Sequence, residues 1–131
     1  MLTLENGTLI LDTTKAKKDS IAVYCHATEV GYQDWYLDLT VESQVNPFDL
    51  MLAGASVAPI TIILPDGSTV TGKADVSSCS SNGQKLAGRL KLLELSEADR
   101  DALKKSFHYK ISASDQGKSF RSKDTYTLLH K

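Results

Sequence analysis

The sequence predicts a mainly β, β-rich α+β fold: a small antiparallel β-barrel or sandwich capped by one helix at about 97–107. Three observations carry this. Apolar residues recur at every second position in Trp35, Leu37, Leu39 and Val41, again in Ile60, Ile62 and Leu64, and again in Leu86, Leu90 and Leu92, the period of a strand with one buried face. Strong turn signals, Asn6-Gly7 and Pro65-Asp66-Gly67-Ser68, separate such runs. A single stretch, Glu97 to Phe107, changes to helical period behind a good amino-terminal cap.

In chain order, Leu2-Thr3-Leu4-Glu5 and Thr8-Leu9-Ile10-Leu11 flank Asn6-Gly7 and read as a hairpin. Thr13 to Asp19, with Lys15, Lys17 and Lys18, reads as a loop. Ser20 to Val30 reads as a strand with Ile21, Val23 and Cys25 on one face, ended by Gly31. Tyr32 to Ser43 follows as the clearest strand, with Asp34, Tyr36, Asp38, Thr40 and Glu42 on its wet side. Asn46-Pro47 reads as a cap and first helical residue, giving a short helix from Pro47 to about Leu52 that Gly54 ends.

The Pro59–Leu64 strand turns at Pro65–Ser68 into a return strand of Val70, Gly72, Ala74 and Val76. Its small residues at 72 and 74 predict a bend or the close approach of another segment. Ser77 to Gln84, almost all Ser, Asn and Gly, reads as a mobile loop. The next strand sets Leu86, Gly88, Leu90 and Leu92 against Lys85, Arg89 and Lys91. In the helix, Ser96 with Asp99 approximates a capping box, and acidic residues at the start and Lys104 and Lys105 at the end suit the helix dipole. Its apolar stripe is Ala98, Ala102, Leu103, Ser106 and Phe107. A β-hairpin extension over 108–131 completes one domain, with Asp115-Gln116-Gly117 as the turn, Phe120, Tyr126 and Leu128 in the last strand, and a bulge near Ser122 to Asp124.

The chain of 131 residues, 41% hydrophobic and 24% charged with net charge −1, is sized for one core and has no global pull toward nucleic acid or anionic membrane. No apolar run approaches the about 20 residues of a membrane span, and no secretory signal opens the chain, so a cytoplasmic protein is expected. Cys25 and Cys79 are expected to be unpaired thiols.

Catalytic, metal and cofactor chemistry is not expected. His26, His108 and His130 lack ligand spacing with one another or with cysteine. Asp34 and Asp38 share a solvated strand face, four positions apart, too far for a retaining carboxylate pair. Ser77, Ser78, Ser80 and Ser81 have no nucleophile-elbow context. Gly72-Lys73 and Gly117-Lys118-Ser119 are only fragments of a phosphate loop. Basic positions do collect: Lys73, Lys85, Arg89 and Lys91 fall on one predicted face and form the candidate ligand-binding set, with Arg121 or Lys123 from the tail, balanced by Asp75 and Glu94. Aromatic residues are not interleaved with them, which argues against nucleic acid.

Lys91-Leu92-Leu93-Glu94-Leu95 followed by Ser96-Glu97-Ala98-Asp99-Arg100-Asp101-Ala102-Leu103 resembles the last strand and closing helix of PilZ domains, and Leu64-Pro65-Asp66-Gly67 resembles that family's central hairpin. The resemblance implies a six-stranded barrel capped by a helix, used for regulatory binding of cyclic di-GMP and for protein docking. The family's R-x-x-x-R pair is absent. Asp38–Ser43 and Asp75–Ser80 resemble D-x-S-x-x-G without its final glycine. The expectation is therefore a PilZ-like barrel without nucleotide binding: a non-catalytic adaptor or regulatory module whose partner is a protein, another copy of itself included, met through a strand edge or the helix-capped end. The alternative is a sensor of a small anionic ligand, a nucleotide or cyclic dinucleotide, on the basic strand face. A hydrolytic enzyme ranks last, because no nucleophile, base and orienting group come together.

Overall fold

The computed structural model describes residues 1–15, 19–27, 33–113 and 124–130, with side chains described for 1–15, 19–23, 34–103, 105 and 106. The elements are β1 (Leu2–Glu5), β2 (Thr8–Asp12), a 3-10 turn (Thr13–Lys15), β3 (Ser20–Ala27), β4 (Gln33–Glu42), α1 (Pro47–Leu52), β5 (Val57–Ile63), β6 (Thr69–Asn82), β7 (Lys85–Leu93), α2 (Glu97–Ser106), β8 (Phe107–Ala113) and β9 (Asp124–His130). The mainly β class with a capping helix is thus present. Strand residues beyond 27, the break at Gly31, the turn at 115–117, Phe120 and the bulge near 122 lie outside the described residues.

The strands form one sheet in the order β1-β2-β5-β6-β7-β4-β3-β9-β8. It is mixed rather than wholly antiparallel: β2 runs parallel to β5, with Leu9 opposite Ile60 and Leu11 opposite Ile62. The chain leaves β2, builds β3 and β4 on the far side, and re-enters beside β2 in the same direction, which only a crossover allows. The β8–β9 hairpin extends the same sheet through β3.

From β1 to β4 the sheet rolls until its first strand touches the far end of the roll. Leu2 bridges Ser43 just beyond β4, and the Ser43 hydroxyl donates to the Leu2 carbonyl at 2.7 Å. The contact is a single bridge, and β3 continues outward from β4, so the sheet is rolled but not closed.

Inside the roll lie Leu2, Leu9, Leu11, Val23, Leu37, Ile60, Ile62, Leu64, Leu86, Leu90 and Leu103, all fully buried, with Trp35 at 3% exposure. All three alternating runs therefore turn their apolar sides inward, which drives the fold through area removed from water. Each helix packs against the rolled sheet. α1 starts where the Asn46 side chain accepts from Phe48 N at 2.9 Å, and it lays Pro47 and Leu50 against Leu2, Leu86 and Leu90. α2 starts where Ser96 Oγ accepts from Asp99 N at 3.2 Å, and it inserts Leu103 into the core. Of the stripe expected on α2, Ala102 and Ser106 are half-buried, Ala98 is exposed, and Phe107 already begins β8.

The expected loop at Ser77–Gln84 is instead strand as far as Asn82. β7 supplies a ladder that serine-rich composition does not announce: Ser78 lies opposite Arg89, Ser80 opposite Ala87 and Asn82 opposite Lys85. A register shift between Asp75 and Ser78 changes which side chains face inward, so Val76 and then Cys79 are buried. The shift presses β6 onto β7 at Gly88, where an added Cβ would lie 2.5 Å from the Ser78 carbonyl oxygen. At Gly72 an added Cβ would lie 2.9 Å from the Leu93 carbonyl oxygen, the close approach that the small residues there predicted.

Candidate functional site

Two outward faces of the rolled sheet differ in chemistry. The first holds the basic residues singled out from sequence. Lys85, Arg89 and Lys91 alternate outward along β7, and the β4 register sets Glu42 opposite Lys85, Asp38 opposite Arg89 and Tyr36 opposite Lys91. Arg89 donates from Nε and Nη2 to the two Asp38 oxygens, both at 3.2 Å, and its guanidinium lies 5.4 Å from the Tyr36 ring centre. Lys91 pairs with Asp34 at 3.4 Å, and Lys73, on β6, pairs with Glu94 at 3.6 Å. The structure thus gathers the β7 bases in one row and sets Lys73 one strand away. It also gives them partners: Asp34 and Asp38, read from sequence as merely solvated, are counter-charges. Arg121 and Lys123 lie outside the described residues.

Beside the Asp38–Arg89 pair a groove of about 350 Å³ opens over β3, β4 and β7, lined by Ser20, Ala22, Asp38, Leu39, Thr40, Ala87 and Gly88. On the inward side of β6, burial pushes the Cys79 thiol up to about 11, with the Asp75 and Asp38 charges adding to the effect. Cys79 is a free cysteine. The side chains of Cys25, His26, His108 and His130 lie outside the described residues. Among the described residues no cluster of three or more His, Cys, Asp or Glu can hold a metal ion, and no helix is long and apolar enough to cross a membrane.

The second face has almost no charge. From Ser43 to Pro65 the only charged residue is Asp49, in a chain that is 24% charged. On α1, only Pro47 and Leu50 face the core, leaving Phe48 52%, Met51 45% and Leu52 86% exposed. The chain then passes into β5, whose outward positions are Val57, 37% exposed, Pro59, also exposed, and the half-buried Thr61 and Ile63. Register extends the strip sideways, with Ile10 of β2 and Thr71 of β6 on either side of Thr61. Its charged margin is Lys73 opposite Pro59 and Asp75 opposite Val57.

The short helix is evident in the sequence; its exposed face is not. The available signal was Phe48, Leu50, Met51 and Leu52 within a single six-residue helix, more large apolar side chains than one packed stripe of that length can hide. Compared with family models, curated proteins and solved structures, the chain has no significant match.

Proposed function

We propose that this chain is a non-catalytic adaptor or regulatory module of the PilZ-like barrel type, acting through protein–protein contacts on the face formed by α1 and β5. The observation that carries the reading is the exposure of Phe48, Met51 and Leu52 on one short helix, within a stretch from 43 to 65 whose only charged residue is Asp49. Contiguous apolar surface with a charged margin is the composition of a docking face, since an apolar centre releases water on contact and the rim sets orientation. Support for the PilZ-like part is the order of elements from 57 to 106: a hairpin, a further antiparallel strand, then a helix that lays Leu103 into the roll.

The test is a photo-crosslinking residue placed at position 52 in the cells that make the protein, with position 78 on the charged face as control. The reading expects a protein adduct from position 52 that Phe48→Ser abolishes. Equal labelling from both positions overturns it.

One observation favours a second reading, an anionic-ligand sensor on Lys73, Lys85, Arg89 and Lys91: the groove lies directly beside Arg89. Such a ligand has to replace Asp38 on the guanidinium. A thermal-shift screen with anionic nucleotides, cyclic dinucleotides included, tests it, because a ligand that binds only the folded state raises Tm. The expected rise disappears in Arg89→Gln, and no rise with any of them removes the reading.

A further inference from the structure

We infer that Asn6 is a site of spontaneous deamidation, converted to isoaspartate and aspartate in the folded chain, while Asn82, in the same dipeptide, is spared.

The chain has three asparagines, at 6, 46 and 82. Asn46 precedes Pro47, whose nitrogen carries no hydrogen to lose. Asn6 and Asn82 each precede a glycine, which has no side chain to hinder attack by its backbone nitrogen on the asparagine amide. In that step the glycine nitrogen gives its proton to solvent base and bonds to the asparagine Cγ, the Cγ–Nδ2 bond breaks, and the amide nitrogen leaves as ammonia. Water then opens the five-membered ring, yielding isoaspartate when it attacks the main-chain carbonyl and aspartate when it attacks the side-chain carbonyl. The two dipeptides share this chemistry. They differ in how the fold holds them.

Asn6 and Gly7 are the central residues of the β1–β2 turn, with Glu5 opposite Thr8. Both have positive φ, 50° and 77°, the mark of a type I′ turn. The hydrogen bond of such a turn joins its outer residues, so the Gly7 N–H is left to solvent. Rotating the Asn6–Gly7 peptide alone turns type I′ into type II′, which the same two strands accept. Asn6 then takes a ψ of about −120°, which eclipses the Gly7 nitrogen with Cβ as a five-membered ring through Cγ requires. Gly7 accepts the accompanying change in the sign of φ because it has no Cβ. Both residues are exposed, with open space around Gly7.

Asn82 sits one place earlier in its turn. It ends β6 and lies opposite Lys85 across Gly83-Gln84, and an antiparallel strand holds ψ at about +135°. Reaching the ring geometry therefore breaks that pair. The turn is also tied from outside, since the Ser43 N–H donates to the Gln84 carbonyl at 2.6 Å. Asp66-Gly67 forms the same ring only from a protonated carboxyl, and Asp66 Oδ1 is held by the Ser68 N–H at 2.9 Å and hydroxyl at 2.6 Å.

Incubation of the full chain in mildly alkaline buffer, with and without urea, tests the inference by peptide mass spectrometry and labelling with an isoaspartyl carboxyl methyltransferase. In the folded chain the peptide carrying Asn6 is expected to exchange ammonia for water at least about tenfold faster than the one carrying Asn82, and to become a methyl acceptor. In urea the two are expected to convert at similar rates. Asn6→Gly, which suits a type I′ turn, is expected to abolish methylation of that peptide and leave Asn82 as slow as before. Equal rates in the folded chain overturn the inference, as does an Asn6 that stays intact there. A difference of the same size in urea also overturns it, because sequence neighbours rather than the fold then set the rates.

Discussion

Asp38 and Arg89 face each other across β4 and β7 and share two hydrogen bonds of 3.2 Å. The same register sets Glu42 against Lys85, so acidic positions of one strand meet basic positions of the other at two places. A slip of one residue would break every such match and turn either Leu37 or Leu90 outward. The charges therefore specify pairing more than they add stability.

The first prediction follows from that geometry. With side chains 39% and 51% exposed, the Asp38–Arg89 pair is screened by water. Asp38→Ala, Arg89→Ala and the double variant, compared by urea unfolding, are expected to give a coupling of under about 1 kcal/mol. A coupling several times larger would show that the pair is shielded from solvent.

Gly88 and Gly67 make a matched contrast. Gly88 has φ +140° and no room for a Cβ against the Ser78 backbone, whereas Gly67 has φ +89° and open space. Gly88→Ala is expected to lose about 3 kcal/mol or more, and Gly67→Ala about 1 kcal/mol. Equal losses in urea unfolding would show that β6 can move away from β7 at little cost.

Acid sensitivity follows from Asp12, Asp66 and Asp75. Their carboxyls are held below the ordinary 3.8 chiefly by the hydroxyls of Thr14, Ser68 and Ser77, with the backbone N–H of the same residues assisting. A carboxyl with a lowered folded pKa stabilises the protein above its unfolded value, and that contribution disappears as pH falls through the folded value. Stability is therefore expected to decline on the acid side, below about pH 4. Asp75→Asn is expected to make the decline shallower in urea unfolding followed down the pH scale, and an unchanged slope would contradict this.

Cys79 is buried on β6 with its thiol pushed up to about 11, so little thiolate exists near neutral pH. Peptide-resolved alkylation at mild alkaline pH is expected to spare Cys79 in the folded chain and modify it fully in urea. Rapid native labelling would mean that β6 opens locally at the register shift.

Much of the core was legible because it depends on local pattern. Trp35 to Val41, Ile60 to Leu64 and Leu86 to Leu92 show their inward sides in sequence alone, and the caps at Asn46 and Ser96 act within three residues. What was not legible depends on partners distant in the chain. The serine-rich stretch Ser77 to Gln84 reads as loop until β7 is beside it. The acid that each base meets is fixed by register, which brings Asp38 to Arg89. The parallel seating of β2 on β5 leaves no local trace, since Leu9 and Leu11 alternate the same way in either orientation. Helix α1 was legible as a helix, but its outward side depends on how Leu50 and Pro47 seat in the roll.

That β2–β5 seam also sets an order of assembly. Hairpins β5–β6 and β6–β7 join neighbours in the chain and can zip as they leave the ribosome, but the amino-terminal hairpin is made first and has no landing edge until β5 emerges, with β3, β4 and α1 intervening. During synthesis Leu9 and Leu11 must wait in water or in a chaperone's grip. A nascent chain halted before Val57 is accordingly the form of this protein most prone to stick to its neighbours.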